Sequence, residues 1–312
     1  MKKVLLATTA LFVTAGVASA EVSFSGTTQV SVSDTNSAGN DLNTHIDFNV
    51  AVSSTTDSGV TMSAGFGYDA GRQVDTADFE LDANEAAASD IANAVDNNPG
   101  WTTAAPSLTI GYNGITITAD GSGVADLYNG DVNSGDLGIA GSMGGLSFGL
   151  TTGMSNGDDN SSMSLGYAMG DITASYVSTN NSDGRATDAS KISLGYKMGD
   201  ATITVASDDR DDTADAVQSV AVAYSMDAVK VSLSAASTGA SGSSIGDDWD
   251  VSVSYTTGAI TASLATDEDS VSKISASYDL GGGANAFLVN RSGTDGAGAN
   301  KDFMAVGLNF AF

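Results

Sequence analysis

Period-two alternation is the feature of this chain that most restricts its fold. It is sharpest in Asp302 to Phe312, DFMAVGLNFAF, where Met304, Val306, Leu308, Phe310 and Phe312 make one apolar side. Phe303, Ala305, Gly307, Asn309 and Ala311 make the other, which is mostly small or polar. Such alternation is a β-strand with one face in an apolar phase. It recurs at Val22–Val32, Ile46–Val52 and Val60–Tyr68. From Leu108 onward it becomes a meander of hairpins. Leu108 to Tyr112 turns at Asn113-Gly114, and Leu137 to Met143 turns at Gly144-Gly145. Later turns fall at Met169-Gly170-Asp171, Met198-Gly199-Asp200, Met226-Asp227, Thr257-Gly258 and Gly281-Gly282-Gly283. Short Gly- or Asn-Gly-containing connections between alternating runs are hairpin signals. The alternating segments number 18.

The connections alternate in kind. Those on the other side are long and rich in Asp, Asn, Ser and Gly, as in Ser155–Asn160, Thr179–Asp188, Asp208–Asp215, Ser237–Asp247 and Arg291–Lys301. One stretch breaks the pattern, residues 70–106. Its middle, Ala77 to Asp96, is rich in Ala, Asp and Glu and is expected to hold a short helix, with Pro99 and Pro106 closing the loop. At the other end, Met1-Lys2-Lys3, an apolar run from Val4 to Val17 and Ala18-Ser19-Ala20 read as a secretory signal peptide, residues 1–20. The mature chain is then expected to be residues 21–312.

Tyr112, Tyr167, Tyr196, Tyr224, Tyr255 and Tyr278 each lie on the apolar face, where a strand runs into a short turn. Together with Phe310 and Phe312 they form an aromatic girdle at one membrane–water interface. A secreted β-sandwich array or β-helix has no reason to level its tyrosines. The expected fold is therefore all-β: a transmembrane, antiparallel, up-and-down β-barrel of 16–18 strands, with short periplasmic turns and long external loops. The first and last strands pair to leave no open edge. A barrel this wide holds an aqueous channel.

Removing Lys2 and Lys3 leaves 11 − 2 = 9 basic residues against 38 acids, a formal charge of −29. That excess argues against nucleic acid as a partner, because phosphate binding needs Lys and Arg. It attracts cations instead. With no Cys, disulfides and thiolate sites are excluded. A Ser-His-Asp site would have to use His45, the only His, and no serine is marked by a motif, so no enzyme is expected. The lumenal face is mainly Ser, Thr, Gly, Ala and Asn, with Lys191, Lys197, Lys230 and Lys273 among them, and with His45, Asp47 and Asp250. The clusters Asp158-Asp159, Asp208-Asp209 with Asp211-Asp212, Asp247-Asp248 with Asp250, and Asp267-Glu268-Asp269 read first as solvated loop tips. Weak Ca2+ binding by these oxygens is the alternative, though none has EF-hand spacing. No cofactor is expected.

Several short stretches together carry a resemblance. Glu21-Val22-Ser23-Phe24-Ser25-Gly26 after the signal peptide, Thr56-Asp57-Ser58-Gly59, Tyr278-Asp279-Leu280-Gly281-Gly282-Gly283 and the terminal Phe resemble alphaproteobacterial general-diffusion porins. The resemblance implies a passive outer-membrane channel of a Gram-negative bacterium for ions and small hydrophilic solutes. It also implies 16 strands, a homotrimer in outer-membrane lipid, and a third external loop folded into the pore. Residues 119–136 match that loop, with Asp120, Asp126, Asp131 and Asp136 as its acidic side. The family's facing arginines are replaced here by His45 and Asp47, which weakens the basic side. The charge balance predicts a preference for cations. A structural or adhesive barrel without an open pore is the alternative reading.

Overall fold

The computed structural model describes residues 21–35, 39–74, 95–103, 107–128, 135–154, 160–180, 188–211, 213–293 and 302–312. The strands are β1 (Glu21–Thr35), β2 (Asn40–Thr55), β3 (Thr61–Val74), β4 (Val95–Thr103) and β5 (Ser107–Tyr112). Next come β6 (Ile115–Val124), β7 (Gly135–Met143), β8 (Leu146–Thr152), β9 (Ser161–Met169) and β10 (Ile172–Asn180). They are followed by β11 (Ala189–Met198), β12 (Ala201–Arg210), β13 (Val217–Met226), β14 (Val229–Ala236) and β15 (Asp248–Thr257). The last are β16 (Ile260–Asp267), β17 (Ser272–Gly281), β18 (Ala284–Ser292) and β19 (Phe303–Ala311). Each pairs antiparallel with its neighbours, and no helix occurs among the described residues.

The sheet closes on itself. β1 pairs with β2 on one edge and with β19 on the other, from Thr27 opposite Ala311 to Thr35 opposite Phe303. Every wall position therefore has a partner on both sides, the condition for satisfying backbone groups in lipid. β4 and β5 both pair with β3, β5 at Thr61–Gly65 and β4 beyond it, so they share one position in the wall. Nineteen segments thus make eighteen wall positions, one hairpin more than the sixteen implied by the resemblance. The expected helix is corrected in part: Val95 and Asp96 open β4, while residues 77–94 lie outside the described residues. Pro99 falls between the paired residues Asn98 and Thr102, in a bulge where its missing N–H breaks no ladder bond.

The short turns set the register. Asn113 and Gly114 both take positive φ (49° and 78°), a type I′ turn whose twist matches the flanking strands. Alternation then sorts the faces. Val30, Leu165, Leu194, Leu264 and Val306 are exposed on the outer wall. Such a row of apolar side chains is stable only against lipid. β1, β2 and β3 run 15, 16 and 14 residues, more than the roughly 9–11 a tilted strand needs to cross a bilayer. Their loop-side ends have chain left over for other contacts. One apolar cluster of Val74, Phe287, Val289, Phe303 and Ala305 is buried, and its strand residues alternate with the outward Leu288, Met304 and Val306. It therefore sits inside the barrel.

Small outward residues at Gly26, Thr28, Ala64 and Gly141 suggest, in the sequence, room for a neighbouring barrel. At two of these the room is already filled. A Cβ on Gly26 would lie 2.8 Å from Cζ of Phe312, and one on Gly141 2.6 Å from Cζ of Phe148. These glycines seat rings of the same wall. Gly26 also exchanges two backbone hydrogen bonds with Phe312, at 3.1 and 3.0 Å, which complete the closure. Gly26→Val is expected to cost about 1–3 kcal/mol, the usual range for overpacking. Val30→Ile, outward and exposed on the same strand, should change stability by less than about 0.5 kcal/mol. Urea unfolding midpoints in detergent compare them, and equal midpoints would refute the seating of Phe312 on Gly26.

Candidate pore constriction

The connection expected to be a loop over residues 119–136 is shorter. β6 continues irregularly past Ala119 to Val124, and β7 begins at Gly135. Asp120 therefore stands on β6 and Asp136 on β7, while Asp131 lies outside the described residues. Gly123 leaves space for the Asp120 carboxylate, since a Cβ there would come within 2.6 Å of Oδ2. After Val124 the chain turns inward instead of crossing to β7 over the rim.

Residues 125–128 lie along the inner faces of β8, β9, β10 and β12. The Thr151 hydroxyl donates to the Ala125 carbonyl at 3.2 Å, and the Leu127 N–H donates to Oγ of Ser162 at 2.9 Å. Asp126 is buried; it accepts from the Thr179 hydroxyl at 2.9 Å and from the Tyr128 N–H at 2.7 Å. The Tyr128 hydroxyl donates to Oδ1 of Asp208 at 2.6 Å. Arg210 holds the other oxygen, Oδ2, through Nε at 3.1 Å and Nη2 at 2.8 Å. Burial, and then the hydrogen bond to Asp208, raise the Tyr128 phenol above its ordinary value of 10.0. The phenol is a proton donor throughout the neutral range, so the bond to Asp208 is present at any physiological pH.

Asp208 is thus no solvated loop tip. Asp208 and Asp209 belong to β12, where Ala206, Asp208 and Arg210 continue the inward face. Asp248 and Asp250 are likewise on β15 and Asp267 on β16. Among the described residues no group of three or more His, Asp or Glu side chains could hold a metal ion. Asp136, one of the four expected acids, accepts the backbone N–H of Met154 at 2.7 Å on the adjoining hairpin.

The four lysines separate. Lys191 stands opposite Asp208 in the β11–β12 ladder, on the wall behind residues 125–128. Lys197 and Lys230 sit beside the short turns, next to Met198 and Val229. Lys273 alone is on the far side, on β17, paired in register with Arg291 of β18. His45 of β2 is buried and bonds Asp69 of β3 through Nε2. Asp47 faces Asp69 across the same ladder. Tyr112, Tyr167, Tyr196, Tyr224, Tyr255 and Tyr278, with Phe310 and Phe312, are all exposed near the ends of strands. Phe310 and Phe312 stack with ring centroids 6.1 Å apart.

Two comparisons with known proteins bear on this architecture. A profile of the Gram-negative porin family matches residues 7–267. The chain belongs to that family. The porin is also similar to solved structures of mutants of the porin from Rhodopseudomonas blastica. With a triple mutant it shares 15% identity and a TM-score of 0.55, covering 94% of this chain and 100% of that one. A second mutant gives 18% identity and a TM-score of 0.56 over the same shares. No curated protein matches the sequence at a significant level. The porin is an outer-membrane diffusion channel, and its family and fold point to transport, not catalysis.

The sequence did not mark Tyr128 or Arg210 as site residues, and it gave Asp208 only as part of an acidic loop cluster and Arg291 only as the start of a polar loop. Tyr128 carried a faint signal, as the one aromatic among residues 119–136.

Proposed function

We propose that this porin is an open, water-filled pore for ions and small hydrophilic solutes, with a preference for cations. The observation that carries this reading is the fastening of residues 125–128 to the inner wall through Thr151, Ser162, Thr179 and Asp208. A chain segment held flat on one wall narrows a channel without filling it. Asp120, Asp126, Asp131 and Asp136 supply the acidic side of this constriction. Lys273, Arg291 and His45 supply the basic side, and Lys191 is drawn toward Asp208 on the acidic wall. The aromatic residues at the short turns anchor the barrel at the periplasmic interface. The mature chain begins at Glu21, and three copies assemble in outer-membrane lipid. In planar bilayers the purified protein should give steady open steps of porin size, and its mass in mild detergent should be that of three chains. A barrel of structural or adhesive role would give no steady open level.

A further inference from the structure

The lumen carries a second inward-folded segment, independent of residues 125–128. β3 pairs with β2 as far as His45 opposite Gly71, then leaves it. Gly71 has φ +106°, and a Cβ there would collide with the Thr44 carbonyl oxygen, so the departure needs glycine. Three residues on, Val74 has crossed to the inner face of another part of the wall. Its N–H donates to Oε1 of Gln29 at 2.7 Å, and its carbonyl accepts from Nε2 of the same amide at 3.0 Å. Val74 is 1% exposed against Phe287, Val289, Phe303 and Ala305. Val95, the first residue of β4, packs on the same cluster.

We propose that Gly71 to Val74, with the start of β4, is a second ledge that narrows the pore from the wall opposite residues 125–128. With β4 and β5 counted as one position, β10 is ninth and β19 eighteenth in a ring of eighteen. The segment held by Thr179 of β10 and the one seated on Phe303 of β19 are thus half a circumference apart. Both seats lie toward the long-loop side, since Thr179 is next to the last residue of β10 and Phe303 is the first of β19. The covered wall shows the same thing. Ser31, Ser33 and Asn43 face inward on β1 and β2, yet are only 2%, 3% and 0% exposed. Lumenal residues elsewhere, such as Ser225 and Lys230, are open. An apolar side chain buried on a lumenal wall and an amide bonding both backbone groups of one residue hold a segment firmly. They position the ledge and touch no solute.

The inference rests on the open-pore reading, so one of its two readouts needs no current. The chain has no Cys, which makes single-cysteine labelling clean. Ser31→Cys should resist a charged, membrane-impermeant thiol reagent that modifies Ser225→Cys readily. Adding Val74→Asp should speed Ser31→Cys labelling by about tenfold or more, because the seat is then open. Val74→Asp alone should raise single-channel conductance about 1.5-fold or more, as a wider constriction must. Gln29→Ala, which deletes both amide bonds, repeats the test if Val74→Asp does not fold. Labelling of Ser31→Cys at the Ser225→Cys rate in the otherwise native chain overturns the ledge. So does labelling that accelerates without any rise in conductance, because the segment would then not narrow the pore.

Discussion

Asp208→Ala is expected to lower unfolding stability by about 2–4 kcal/mol and to make the open channel noisier. Two effects combine. The carboxylate is the acceptor for Tyr128 and for two nitrogens of Arg210 at once. Breaking a buried pair by removing one partner costs about 3–5 kcal/mol, whereas an exposed pair is worth at most about 1 kcal/mol. The Asp208 side chain is 5% exposed and that of Arg210 24%, which places this pair nearer the buried limit but below it. Tyr128→Phe removes a single hydrogen bond to a charged acceptor, about 1.5–3 kcal/mol. Because both substitutions act on one contact, the double variant should cost less than their sum by about 1 kcal/mol or more. Residues 125–127 keep their bonds to Thr151, Ser162 and Thr179, so the segment loosens at one end without leaving the wall. Additive costs, with current noise unchanged in both single variants, would remove Asp208 from the fastening of the constriction.

The barrel was legible because its signals are local. Alternation and turn residues such as Asn113-Gly114 act within a few positions, and eighteen segments of them add to one architecture. The resemblance pointed to residues 119–136 as an inward segment, but what fastens the inward segments was not legible, because the partners are far apart in sequence. Tyr128 finds Asp208 80 residues away, and Val74 finds Gln29 45 residues away. Asp208-Asp209-Arg210 reads as a polar loop because lumenal strand ends and loop tips have the same composition. Only the continued alternation of Ala206, Asp208 and Arg210 separates the two. Gly71 was similarly silent: a glycine beside a long loop says nothing about which way the chain bends. Alternation puts the lysines on the inward face, but it carries no height or azimuth. It could not tell Lys191, beside Asp208, from Lys273, beside Arg291.

That separation of charges decides the sign and size of the second large effect. Potassium is expected to pass more easily than chloride, with a permeability ratio of about 5 or more at low salt that falls toward 1 near 1 M, where the screening length is about 3 Å. Asp126 is buried against Thr179, and a charge held in a low-dielectric wall still projects its field into a narrow lumen. Asp47 and Asp69 are cross-strand neighbours, and His45 bonds only one of the two, Asp69. On the opposing side Lys273 stands in register with Arg291, which is buried and close enough to the Asp267 carboxyl to act on it, while Arg210 spends its charge on Asp208. The proposed cation preference rests on this imbalance toward the acids. Asp120→Asn with Asp126→Asn and Asp131→Asn should cut the ratio by about half or more, and Lys273→Ala should raise it, since the two sides act with opposite sign. Reversal potentials across a roughly tenfold KCl gradient read all of these in the regime where screening is weak. A native channel that favours chloride would overturn the preference. Acid and lysine variants that shift the potential in the same direction would show that selectivity is set somewhere other than this constriction.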